Sequence, residues 1–502
     1  MNKIIDAENN WPAFDDIAEP RMVCFGTGNG SGSKLLQSYI DGHPEIYMVP
    51  GYQLMYLYPH WYQWKDELKD TWNWETIIKI FCIKHASVID SRRIPANDGM
   101  ANLGNNKDQW LEVNEIYFKS FLKHLLQNKP VCCRIFLLAV HYAYAFCRGE
   151  DLTVKKCLVY HIHVHEYGPR YLEKDFPDML TIAMVRDPRS NINGRYRSTL
   201  KLDAQKLDRT DYVVYFQRTY YFIWQYLVES MECLKNLPQE NIRVVRHEDM
   251  HYCLERLMKS IADFMGIKFN KIFLKSTFGG QLWWGSKIYD MAPMNKPNPR
   301  IVSLDWQQKL HPLDWFVIEG LFYDYCLKYD YALYKHKKYK FFKRILLFFA
   351  IFLPSAYELE TFFQYLNPNH MKEFFKSAFD EATGRVPFKD YSFNAYYRHK
   401  WYNRGLNLWK ERWFKKFIIF FQAQIGQHSG SIKGRVIIFA NSFFYLIISS
   451  FRYFLAFLSC PYRIIKRGIE SAMAFKRLIK KENCLPELII TIDNTKIQIP
   501  GI

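Results

Sequence analysis

Apolar residues run unbroken from Met22 to Phe25, give way to glycines at Gly26, Gly28, Gly30 and Gly32, and resume at helical spacing at Leu35, Leu36, Tyr39 and Ile40. This pattern predicts a buried strand, a glycine loop and a helix that Gly42 stops, with Pro44 behind it. Two further apolar stretches read as strands: "MLTIAMV" from Met179 and "NIRVV" from Asn241. In "CLVYHIHVH" the residues His161, His163 and His165 alternate at period two, so on a strand they share one face. After the second of those strands, Leu254, Leu257, Met258, Ile261 and Phe264 mark one side of an amphipathic helix. Strands without a polar face need cover on both sides, so the expectation is an α/β fold with a parallel sheet flanked by helices.

A glycine loop between a strand and a helix lets backbone N–H groups turn inward, and the helix N-terminus adds unpaired donors and partial positive charge. The chemistry expected is a phosphate or sulfate cradle, with a ligand-free turn as the alternative. Gly28, Asn29, Gly30, Ser31, Gly32, Ser33 and Lys34 would form it. The nucleotide triphosphatase pattern places its lysine directly after the last glycine and follows it with Ser or Thr. Here the order is Gly32-Ser33-Lys34-Leu35, which disfavours that class. The dinucleotide fingerprint is only approximated. At the end of the strand from Met179 stands Arg186-Asp187-Pro188-Arg189. An arginine fork suits a phosphate; the alternative for Arg186 is an ion pair with Asp187 or Asp178. The histidine face offers a general base near neutral pH, a zinc site or a structural polar cluster.

The motifs "SGSKLL", "DGHPEI", "RDPR" and "RHEDM", with a helix and "FMG" after the last, together resemble the sulfotransferases over about residues 20–335. The resemblance implies a P-loop-like phosphosulfate-binding loop and 3′-phosphoadenosine 5′-phosphosulfate as sulfuryl donor, with no metal. It implies that the loop amides hold the 5′-phosphosulfate, that Lys34 offsets charge on the leaving oxygen, and that Arg186 holds the 3′-phosphate. It makes His163 or His165 the base. Two positions depart from the family: Asn29 and Gly30 stand where a basic residue is usual, and Gly194 where a serine is, leaving Ser198 as the substitute hydroxyl. "TFGGQLWWGSK" resembles a donor- or acceptor-side loop, in which Trp284 or Trp283 would stack on adenine or else fill core. The acceptor class implied is a hydroxyl or amine. A P-loop-type phosphotransferase and a non-catalytic scaffold with a decayed donor site are the rival readings.

Charge changes the picture for the last third. Of the 502 residues, those from Tyr331 onward carry 28 Lys and Arg against 11 Asp and Glu, which is +17 of the total +18. These charges flank apolar, aromatic runs at 345–353 and 436–451, the latter short of the roughly 20 residues of a membrane span before Arg452 interrupts it. Basic residues interleaved with aromatics read as interfacial helices on an anionic membrane, with buried helices as the alternative. Nucleic acid is not expected as a partner, because its binding surfaces do not usually interrupt their charges with such long apolar runs. The expected division is a 1–335 α/β domain, a 336–482 basic, mainly helical membrane-associated region and a 483–502 hairpin tail. The first residues lack an apolar signal core, and the scattered cysteines form no CxxC. The expected location is the cytoplasmic face of a membrane, with a glycan or lipid-linked acceptor there.

Overall fold

The computed structural model describes residues 11–27, 30–51, 53–55, 57–93, 100–163, 170–194, 234, 240–285, 297–298, 302, 306–335, 341–382, 432–480 and 485–490. Five strands form one sheet: β1 (Arg21–Thr27), β2 (Ile46–Met48), β3 (Cys157–His163), β4 (Leu180–Val185) and β5 (Ile242–Arg246). Their order is β2-β3-β1-β4-β5, and every pairing is parallel. The expected α/β class with a parallel sheet is therefore the class observed. β1 lies at the centre, with Val23, Cys24 and Phe25 fully buried. That burial explains its unbroken apolar run, since helices cover both faces.

Side-chain alternation sorts the core. One face of the sheet offers Val23, Phe25, Val159, Ile182 and Val245 to α1 (Ser33–Ile40) and to Leu254–Met265, which the sequence marks as amphipathic. The other face is covered in two halves. Helices α2 (Leu57–Leu68), α3 (Trp74–Lys84), α4 (Glu115–Leu126) and α5 (Cys133–Cys147) cover the β1–β3 half. We label Leu254–Met265 α6. The β4–β5 half packs on α7 (Pro312–Leu321) and on the C-terminal helices α8 (Phe341–Ala350), α9 (Ala356–Tyr365), α10 (Pro368–Ala382) and α11 (Ile432–Lys480).

That last layer bears on the domain division. Leu347, Ile351, Tyr365, Phe374, Tyr453 and Cys460 share one buried cluster with Val244, Ile318 and Tyr325. The basic region therefore has no separate core; it completes the core under β4 and β5. The chain also returns to the sheet. Val244 donates its N–H to the Glu487 carbonyl (2.9 Å), Ile489 donates to the Val244 carbonyl (2.9 Å), and Leu488 pairs with Val244 in parallel. The first arm of the expected tail thus covers the free edge of β5, which an open sheet must protect. The rest of that expected hairpin, from residue 491 onward, lies outside the described residues.

Candidate active site

β1 and β4 are neighbours, and their carboxyl ends lie together through the register Thr27↔Met184. The chain leaves β1 toward β2 on one side and leaves β4 toward β5 on the other. The crevice between those two ends is the switch point of the sheet, where open α/β sheets place their ligands.

The glycine loop enters this crevice from β1. Gly30 has φ 81° and Gly32 φ 88°, both in the left-handed region that glycine occupies without steric cost. Gly32 is also the N-cap of α1, and its carbonyl accepts from the N–H groups of Leu35 (3.0 Å) and Leu36 (3.2 Å). A Cβ at Gly32 would stand 2.2 Å from Nδ1 of His247. Glycine is therefore required twice, by the turn and by the imidazole packed against it. Ser31 and Ser33 are buried beside it, and Lys34, on the first turn of α1, is partly exposed.

Arg186 enters from β4. Its Nη1 donates to the Gly30 carbonyl (3.3 Å) and its Nη2 to Ser190 Oγ (3.2 Å). Its backbone is fixed by the buried Tyr325 hydroxyl, which accepts from the Arg186 N–H (3.3 Å) and lies 3.2 Å from the Arg186 carbonyl. The rest of the motif turns inward. Arg189 forms ion pairs with Asp187 (2.9 Å) and Glu319 (2.8 Å), its guanidinium 4.3 Å above the Trp306 ring. Among the described residues Asp187 thus pairs with Arg189 and not with Arg186. The second arginine anchors the loop to the core and the first is left at the crevice.

The turn after β5 closes the site. His247 donates its backbone N–H to the Val185 carbonyl (2.8 Å), which brings its ring beside Gly32. Its ring stands edge-on to His251 at 5.0 Å. Burial, and then the charge of Arg186 and the neighbouring His251, holds His247 well below the usual imidazole range. Burial, and then Arg186, holds His251 down at about 4. Glu248 is pushed up by burial and accepts from the Asp187 N–H (3.1 Å) and the Tyr331 hydroxyl (3.0 Å). Among the described residues, Arg186 Nε and His247 Nδ1 are buried without a hydrogen-bond partner. Orphaned buried polar groups cost on the order of 1–3 kcal/mol each, and two at one crevice mark a place where a polar ligand supplies the missing bonds.

The structure brings Arg186 against the loop of Gly30, Ser31, Gly32, Ser33 and Lys34 through its bond to the Gly30 carbonyl. His163 is the last residue of β3 and pairs in register with Thr27, so its backbone stands at the mouth of the glycine loop. Gly28, Asn29, His165 and Ser198 lie outside the described residues. The Cβ position of Gly194 stands in ordinary van der Waals contact with Arg186 Nη1, 3.9 Å away. Position 194 therefore does border the arginine, and the hydroxyl observed on Arg186 is that of Ser190. Trp284 donates its indole N–H to the Gly104 carbonyl (2.5 Å) and carries Lys107 Nζ 4.4 Å above its ring. Those contacts tie it to the 100–107 loop rather than to the glycine loop. Its neighbour Trp283 is buried against Phe278. Among the described residues no group of three or more His, Cys, Asp or Glu side chains is placed to hold a metal.

Sequence reasoning missed His247 and His251 as members of the site. The available signal was position, since His247 directly follows a strand that ends level with Val185.

Residues 29–271, which contain most of this crevice, match the Sulfotransferase family. Among solved structures, the chain is similar to the sulfotransferase domain from the Synechococcus PCC 7002 olefin synthase, at 15% identity over 59% of this chain and 89% of that one, with a TM-score of 0.33. It is also similar to the sulfotransferase domain from the curacin biosynthetic pathway, at 14% identity over 59% of this chain and 93% of that one, with a TM-score of 0.31. No curated protein matches the chain. Within the matched region, Gly30 and Gly32 of the glycine loop meet Arg186 and His247 at the switch point.

Proposed function

We propose that the domain transfers a sulfuryl group from 3′-phosphoadenosine 5′-phosphosulfate to a hydroxyl or amine, on a glycan or lipid-linked acceptor. The observation that carries the reading is the pair of buried, unpartnered nitrogens, Arg186 Nε and His247 Nδ1, on either side of the glycine loop. A guanidinium, an imidazole and a helix N-terminus around one crevice form a donor set for an anion. The glycan or lipid-linked character of the acceptor rests on a membrane surface presented by α11.

In this reading the loop amides and the first turn of α1 hold the 5′-phosphosulfate, and Arg186 with Ser190 holds the 3′-phosphate. Lys34 lies on the same turn, where its charge would offset that on the departing phosphate oxygen. The acceptor oxygen or nitrogen forms a bond to sulfur as the bridging S–O bond to the phosphate breaks. The electron pair leaves with the bisphosphate, and the acceptor proton passes to a base. His163, at the mouth of the loop, and His165 after it are the residues proposed for that base. Such a base contributes typically 10²–10⁴-fold to a rate.

Isotope-labelled donor incubated with glycan and lipid extracts tests the assignment. The wild-type chain is expected to transfer label, and His163→Ala or His165→Ala to lower the rate by roughly 10²–10⁴-fold with donor affinity nearly unchanged. Full transfer by both single variants would remove the histidines from the reaction.

A further inference from the structure

α11 differs from an ordinary surface helix. Successive residues turn by about 100°, so positions three and four apart share a face. Tyr453, Cys460, Arg467 and Ser471 form the buried face. The opposite face carries Phe444, Phe451, Phe454, Leu458, Ile465 and Met473, each more than half exposed. A helix on a soluble surface normally turns polar residues outward. This stripe instead runs about 45 Å at 1.5 Å per residue. Together with Phe443, Ile447, Leu455, Tyr462 and Ile469 on the same face, these roughly half-exposed side chains present on the order of 1,000 Å² of apolar surface, against roughly 300–600 Å² for the largest patch of a typical monomer.

We propose that this outward face of α11 is a membrane-contact surface that lies in the headgroup layer of an anionic bilayer. The proposal goes beyond sulfuryl transfer and stands independently of the donor site. Three observations select this occupant. First, the inner face is committed to protein. Arg467 pairs with Glu358 of α9 (2.6 Å) and donates to the carbonyls of Ile351 (3.1 Å) and Leu353 (2.8 Å). Phe352 packs against Gly468. Lipid therefore meets one side of the helix only. Second, no described helix is long and apolar enough to cross a membrane, which favours a helix lying in the plane. Third, α11 carries nine Lys and Arg and a single acidic residue, Glu470. A two-fold pairing of copies would set this positive helix against itself, whereas acidic lipid headgroups complement it. Exposed Arg344, Lys372, Lys376 and Lys476 belong to the same basic helical layer.

Flotation of the full chain with vesicles tests the proposal. Phosphatidylcholine vesicles containing phosphatidylserine are expected to capture the wild-type chain at low salt. Omitting phosphatidylserine or raising the salt is expected to lower capture roughly tenfold or more. Phe451→Asp with Phe454→Asp and Leu458→Asp is expected to abolish capture while thermal unfolding and 3′,5′-adenosine bisphosphate binding stay as in the wild type. Ile465→Glu with Ile469→Glu serves as the second variant should the first unfold. Wild-type protein that stays in solution with anionic vesicles at low salt overturns the proposal. So does capture unchanged in folded variants, or a wild-type dimer that ignores vesicles and dissociates when the stripe is charged. Because bisphosphate binding is read separately, failure here leaves the donor reading untouched, and the reverse also holds.

Discussion

Arg186 and Arg189 are three residues apart and have opposite fates. Arg189 is buried in ion pairs with Asp187 and Glu319, whereas Arg186 meets only the Gly30 carbonyl and Ser190 among its described side-chain partners. Nothing in the four-residue motif distinguishes the two arginines; the separation arises because Glu319 and Trp306 come from the far end of the domain. Gly194 poses the converse case. The family resemblance places a serine there, and the structure sets its Cβ position in ordinary van der Waals contact with Arg186 Nη1, 3.9 Å away. The backbone at Gly194 does not occupy the left-handed region, so a side chain is sterically permitted. Gly194→Ser is therefore expected to fold normally and to tighten 3′,5′-adenosine bisphosphate binding by roughly 2–10-fold, the effect of one added hydrogen bond of about 0.5–1.5 kcal/mol. Calorimetric titration of the variant checks this, and weaker binding would place the bound phosphate elsewhere.

Among the elements, those whose residues carry their own punctuation were legible. β1, the glycine loop and α1 follow from an unbroken apolar run, Gly30 and Gly32, and the spacing of Leu35, Leu36, Tyr39 and Ile40. β4, β5 and α6 were equally plain, because a buried strand and an amphipathic helix each have a distinct period. Pairings were not legible. Leu488 joins Val244 across nearly half of the chain, and periodicity does not name a partner. The turn after β5 was read as part of a motif, yet its ring contact with Gly32 is tertiary and leaves no local trace. That turn also yields a pH prediction. His251 is held at about 4 in the folded protein against an ordinary value near 6.5. A depressed imidazole contributes stability that is fully present above pH 6.5 and lost as pH falls toward 4, because the unfolded chain then binds the proton first. The stability advantage of wild type over His251→Gln should shrink across that window by up to about 3 kcal/mol. Chemical denaturation of both proteins at several pH values measures the difference, which cancels the opposing titration of Asp314, raised to about 6 by burial. A difference independent of pH would show that His251 is not held neutral.

At the scale of the whole molecule, charge and core divide the chain differently. The first 330 residues carry +1 and the remainder +17, which reads as two parts. Packing joins them, since Leu347, Tyr365 and Tyr453 lie in one buried cluster with Val244 and Ile318. The basic helices thus serve two roles, completing the core under β4 and β5 on one side and presenting apolar side chains outward on the other. An apolar run in a sequence is compatible with either role; the structure places Tyr453 inside and Phe454 outside. Such an arrangement holds the switch-point crevice at a fixed distance from the surface that α11 presents, so a lipid-linked acceptor would meet the site in one orientation. The sulfuryl-transfer reading rests on the crevice being an anion site for the donor. The most direct measurement is calorimetric titration of the full-length chain with 3′,5′-adenosine bisphosphate and, separately, with ATP, using wild type and Arg186→Ala. The account predicts that wild type binds the bisphosphate in preference to ATP and that Arg186→Ala weakens it at least tenfold, as loss of a charge-assisted contact of about 1.5–3 kcal/mol requires. Binding of ATP in its place, or bisphosphate binding indifferent to Arg186, would contradict it.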